Sequence, residues 1–146
     1  MEDMLLDLPQ IDYDGTADNV VKFLTNRSYY PRLYDIYMQA NPEKLQSPSL
    51  SDMPGGSVGN SNENKMIKYL YAKAIVDGVR QTIDKGSHEL KVVFSNITGE
   101  TSAAEAMQML HYEKSRYYLI RKQVLNEFAD ILEVQNLHCP DLHIYI

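Results

Sequence analysis

The chain has 146 residues, a formal charge of −6, 44% hydrophobic residues and one cysteine, a length that supports one modest core or a small domain with an added helical subdomain and excludes two large domains. The lone Cys139 excludes an internal disulfide framework and suits a reducing compartment. The acidic start MEDMLLDLPQ lacks a signal pattern and no stretch approaches the roughly 20 apolar residues of a membrane span, so the expectation is a soluble cytoplasmic protein with no membrane partner.

After Pro9, Thr16 to Asn26 reads as a helix carrying Val20, Val21, Phe23 and Leu24. Tyr30-Pro31 starts another with Leu33, Tyr34, Tyr37 and Met38, because proline suits the first helical turn, where no donor is needed. These helices form a small N-terminal unit over 1–46. Residues 47–62, SPSLSDMPGGSVGNSN, lack apolar periodicity and read as a linker or extended loop. Ser61 or Asn62 then caps a long helix over 63–85, with Met66, Ile67, Leu70, Ala74, Ile75, Val79 and Ile83 on its inner face. Gly86-Ser87 ends that helix and opens a shorter one over 88–97, in which Val92-Val93-Phe94 has some strand character.

Ser102 and Glu105 form an S-x-x-E capping box, so a helix begins there and carries Ala103, Ala106, Met107 and Leu110. His111 to Lys114 supplies a turn. From Ser115 the pattern resumes as Tyr117, Ile120, Val124, Phe128 and Leu132, steps of three and four that bury one face of a second helix. Lys114, Ser115, Arg116, Tyr118 and Lys122 stand opposite, with Arg121 at the edge. A buried helix with such a basic front after a short turn is the layout of a DNA-reading helix-turn-helix, in which arginine or lysine donates to guanine or phosphate. An ordinary bundle with a solvated charged face produces the same local pattern. The expected fold is therefore all-α, with a four-helix domain over 63–135 and an apolar tail over 136–146 that docks on its own core or on a second subunit in a homodimer.

The negative total is unevenly placed. Residues 1–18 hold six acidic and no basic residues, and 127–146 hold four acidic and none basic, leaving 14 basic against 10 acidic residues between them. Distribution matters more than total charge for phosphate contact.

Other constellations are weak. His138, Cys139 and His143 would need a distant fourth metal ligand, and tail packing explains them better. Asp12, Asp14 and Asp18 lack the spacing of a calcium loop, and Gly55-Gly56 and Gly59 lack the lysine of a phosphate loop. No cofactor, metal or enzymatic activity is expected.

The long helix, two short ones and a basic final helix resemble the region-four promoter-binding domain of bacterial sigma factors. A closer resemblance is to the ArpU family of phage packaging and lysis transcriptional regulators. It rests on the Ser-Pro-x-x-Ser-Asp-Met-Pro loop leading into the long helix, 47–70, and on HYEKSRYYLIRKQVLNEFADIL at 111–132. The resemblance implies a sequence-specific regulator of phage or prophage late genes in a bacterial host, binding double-stranded DNA with a recognition helix over Ser115–Leu125. It departs at His111, where glycine is usual, and at Arg116, where serine or threonine is frequent. The residues assigned to DNA are Lys114, Ser115, Arg116 and Tyr118 near base edges, with Arg121 and Lys122 on phosphates. Two other readings remain: a phage DNA-packaging recognition subunit using the same helix-turn-helix, and a module binding RNA polymerase or a repressor through the N-terminal helices and acidic end.

Overall fold

A computed structural model of the chain describes residues 8–45 and 56–146, the side chains of 56–62 excepted. Seven helices are present there: α1 Tyr13–Thr25, α2 Tyr30–Gln39, α3 Pro42–Leu45, α4 Gly56–Lys85, α5 His88–Ile97, α6 Ala103–Leu110 and α7 Lys114–Leu132. The protein is all-α, and the only extended pairing among the described residues is an isolated antiparallel bridge between Ile11 and Tyr145. No described helix is long and apolar enough to cross a membrane.

Local chemistry sets most boundaries. Asp12 caps α1 by accepting the Gly15 amide at 2.9 Å, which starts the helix one turn before the expected Thr16. Pro31 sits in the first turn of α2 as expected. Ser87 caps α5 through the Leu90 amide at 3.2 Å, and Val92 and Val93 are buried on that helix rather than in a strand. The Ser102–Glu105 box is formed in both directions, at 2.9 and 3.1 Å.

The largest departure is α4. Its 30 residues span about 45 Å at 1.5 Å per residue, so Ser61 and Asn62 lie inside the helix and do not cap it. Once a helix is nucleated, each added residue costs little, which lets a long apolar helix extend through the weak helix formers ahead of it. The remaining part of the expected linker, 47–55, lies outside the described residues. The inner face also differs: Tyr69, Ala72, Ile75, Val76, Val79 and Thr82 are buried, while Ile67 and Leu70 are 63% and 51% exposed. Steps from 69 to 72, 76 and 79 form the actual stripe.

Residues of α1, α2, α4, α5, α6 and α7 share one hydrophobic core, from Val20, Phe23 and Tyr30 through Val79 and Leu90 to Phe128 and Leu132. The N-terminal helices are thus part of the same core as the C-terminal ones. The chain beyond α7 turns back over it. Cys139 and Leu142 are buried, Asn136 donates to the Ala74 carbonyl at 2.9 Å, and Asn19 donates to the Leu142 carbonyl at 2.9 Å. The Asp12 amide donates to the Ile144 carbonyl at 2.8 Å, and the Ile144 amide donates to Thr16 Oγ1 at 2.9 Å. The tail therefore docks on its own chain, although Leu137 and Ile146 remain exposed.

Candidate nucleic-acid interface

The α6–α7 segment is a helix of 8 residues, a short turn and a helix of 19 residues. His111 closes α6 in the left-handed conformation, φ 58° and ψ 40°, the position at which a helix usually places glycine. Histidine tolerates this conformation better than a β-branched residue would. Tyr112 and Glu113 complete the reversal, and the Tyr112 amide returns to the Met107 carbonyl at 3.0 Å. Glu113 precedes α7 without making a side-chain capping bond, so no carboxylate of its own closes the helix start.

One face of α7 is sealed. Tyr117, Ile120, Val124, Leu125, Phe128, Ala129 and Leu132 are buried, as the spacing requires. The Tyr117 hydroxyl donates to Asn96 on α5 at 2.8 Å, and burial pushes the phenol above its ordinary pKa. Toward the middle of the helix, Glu127 accepts both the amide and the hydroxyl of Ser87 at 2.8 Å. These bonds hold α7 in one rotation about its axis, which fixes what it turns outward.

Lys114, Ser115, Arg116 and Tyr118 are exposed on the other face, and Arg121 and Lys122 are half-buried. The cations are not equivalent. The Arg116 guanidinium lies 5.6 Å from the centre of the Tyr112 ring, and that of Arg121 lies 5.8 Å from the Tyr118 ring. Such stacking orders a long side chain without consuming its charge. Among the described residues, Lys114, Arg116 and Arg121 form no ion pair with a carboxylate, whereas Lys122 is bound to Asp14 of α1 at 3.1 Å. Sequence spacing placed five of these residues opposite the buried face of α7 and Arg121 at its edge, but missed the pairing of Lys122. It also missed Leu119, which is 44% exposed beside Tyr118 and adds an apolar contact surface.

One cavity lies away from α7. An open groove of about 720 Å³ between α2, α4 and α5 is lined by Tyr30, Tyr34, Arg80, Phe94 and neighbouring side chains, and includes no residue of α7. The histidines and cysteine of the tail separate: Cys139 is buried, the His138 ring meets the Tyr71 edge at 5.9 Å, and His143 lies among carboxylates.

No family model, no curated protein and no solved structure matches this chain.

Proposed function

We propose that the protein is a sequence-specific DNA-binding regulator whose α6–turn–α7 unit acts as a helix-turn-helix, with the first turns of α7 in the major groove. The observation that carries this reading is the cluster of Lys114, Arg116, Arg121 and Tyr118 on the outer face of a helix whose opposite face is sealed into the core. Among the described residues three of these cations have no carboxylate partner, which suits a polyanion, and an aromatic ring lies beneath each of the two arginines. Arg116, nearest the helix start and stacked on Tyr112, is assigned to a guanine edge; Lys114 and Arg121 flank it for phosphates or bases, and Ser115 and Tyr118 supply neutral hydrogen bonds. Lys122 reaches a phosphate only by leaving Asp14, so its contribution is the smallest of the set.

The finer assignment, control of phage or prophage late genes for packaging and lysis in a bacterial cytoplasm, follows from the resemblance of 47–70 and 111–132 to the ArpU family. The deciding experiment is fluorescence anisotropy of the full-length chain against tiled fragments of its neighbouring genome at two salt concentrations. Tight binding to one upstream fragment is expected, with Arg116→Ala losing about 1–3 kcal/mol on that fragment and little on random DNA. Equal losses on both would move Arg116 to the phosphate backbone, and absence of binding to every fragment would overturn DNA reading.

A further inference from the structure

Beside the C-terminal end of α7 the returning tail sets His143 among carboxylates. Its side chain is only 4% exposed. Nε2 lies 2.7 Å from Asp130 Oδ1, and Nδ1 lies 2.5 Å from Asp141 Oδ1 and 3.9 Å from Glu133 Oε1. The other oxygen of Asp141 accepts the Tyr145 hydroxyl at 2.5 Å. Among the described residues, no lysine or arginine forms an ion pair with any of these three carboxylates. One imidazolium can cancel only one of three negative charges, so the cluster stays anionic. Burial and the charge of Asp141 accordingly hold the Glu133 carboxyl above its usual range.

We propose that His143 Nδ1, Glu133 and Asp141 form a site for one divalent transition-metal cation of the zinc or manganese class, with Asp130 orienting the imidazole. One donor atom from each of the three residues lies within 4.8 Å of the other two. Tetrahedral zinc ligands at their ordinary bond lengths stand about 3.3–3.6 Å apart. The side chains of Glu133 and Asp141 are 39% and 37% exposed, so they can reach that spacing by rotating about their own bonds. With Nε2–H directed at Asp130 and Nδ1–H at Asp141, loss of the Nδ1 proton leaves a lone pair there while Asp130 keeps the ring oriented, the arrangement in which a carboxylate orients a metal-bound histidine. A mixed imidazole and carboxylate set favours zinc or manganese over magnesium and calcium, which prefer oxygen alone. Binding exchanges the Nδ1 proton for two positive charges and so offsets the excess negative charge.

The site would join α7, through Glu133 at its C-cap, to the tail residues Asp141 and His143. The next residue of the tail, Ile144, is hydrogen-bonded to Asp12 and Thr16 of α1. A bound cation therefore staples the end of the chain across two helices. The cluster includes neither Cys139 nor His138.

Calorimetric titration of the chelator-treated full-length chain with zinc chloride, manganese chloride and magnesium chloride tests this. One equivalent of zinc or manganese is expected, with magnesium at least tenfold weaker and a heat that varies with buffer ionisation as a proton is released. Glu133→Gln and Asp141→Asn, both at partly exposed positions, should each weaken binding at least about tenfold while leaving the helical circular dichroism intact. His138→Ala should leave it unchanged. No saturable heat with zinc or manganese, binding by the two carboxylate variants as tight as by the parent, or loss in His138→Ala would overturn the site.

Discussion

The Tyr117 hydroxyl donates to Asn96 Oδ1 at 2.8 Å, while the Asn96 amide donates to the Thr101 carbonyl at 3.1 Å, so one residue of α5 ties the inner face of α7 to the residue before the α6 cap. The relative placement of α6 and α7 thus depends on a side chain that belongs to neither. Tyr117→Phe should lower unfolding free energy by about 1 kcal/mol, the usual net worth of one such bond. Asn96→Ala should cost more because it also frees the Thr101 carbonyl. In urea unfolding, the double variant should then be no less stable than Asn96→Ala by more than a few tenths of a kcal/mol, since both changes remove the same bond. Additive losses would show that the hydroxyl and the amide act independently.

The ion pair between Lys122 and Asp14, 3.1 Å long with side chains 40% and 81% exposed, sets an acidic group of α1 against the outward face of α7. Its value to stability is small, about 0–1 kcal/mol. On the proposed DNA-binding reading, its effect on affinity is the larger one, because Asp14 both neutralises a cation and would repel phosphate. Asp14→Asn should strengthen binding to specific and random DNA alike and steepen the salt dependence by about one released counterion. Lys122→Ala should change the slope by less than that. Unchanged salt dependence in Asp14→Asn would place Lys122 outside the DNA contact.

Features governed by neighbours in the chain were legible in the sequence. The Ser102–Glu105 box, the buried stripe of α7 and the exposed positions 114, 115, 116 and 118 follow from hydrogen bonds and periodicity within a few residues. Features made by distant partners were not. Nothing local distinguishes Lys122, paired with Asp14, from Arg121, which has no carboxylate partner among the described residues, nor joins His143 to Asp130. The stripe of α4 was misplaced because Ile67 and Leu70 continue the apolar period beyond the part of the helix that the other elements cover. The early start of α4 was hidden because glycine, serine and asparagine read as breakers unless a long helix already follows them.

His111, at φ 58°, occupies a conformation that is strained for any residue with a β-carbon. The cost is of order 1–2 kcal/mol, against about 0.4–1 kcal/mol of extra unfolded-state freedom when glycine is introduced. His111→Gly should therefore stabilise the protein by about 0.5–1 kcal/mol, and His111→Val should destabilise it. Thermal unfolding of the two variants decides the sign. A loss of stability in His111→Gly would mean that the imidazole makes a compensating contact.

Burial, reinforced by Tyr34, pushes the Tyr30 phenol from 10.0 up to about 12. Between those values the folded chain holds a proton that the unfolded chain has released, so stability is complete below the lower value and falls as pH rises through the upper one. The loss should be about 1–2 kcal/mol, less than the full shift implies, because Tyr30 also borders the open groove. Tyr30→Phe should lack this loss, so its stability relative to the parent should rise between about pH 9 and about pH 12. A constant difference across that range would show that the phenol ionises as readily in the fold as in the unfolded chain.

Gly78 faces the docked tail so closely that a β-carbon there would stand 2.3 Å from Cys139 Sγ. Two effects of Gly78→Ala oppose each other. Helix propensity favours alanine by about 0.8–1.0 kcal/mol, while overpacking a closed contact costs about 1–3 kcal/mol. Cys139 is buried, and the Asn136 side chain holds the adjoining turn to the Ala74 carbonyl at 2.9 Å, so the sulfur has little room to withdraw. Overpacking should win, and Gly78→Ala should lower stability by about 1 kcal/mol. Cys139→Ala removes the atom in the way but leaves a small void in the parent. Placed on Gly78→Ala, it should recover stability, so the double-variant cycle should show favourable coupling of at least about 0.5 kcal/mol. Additivity in that cycle would mean that the tail shifts away from α4 at little cost. Gly78→Ala would then gain stability through helix propensity alone.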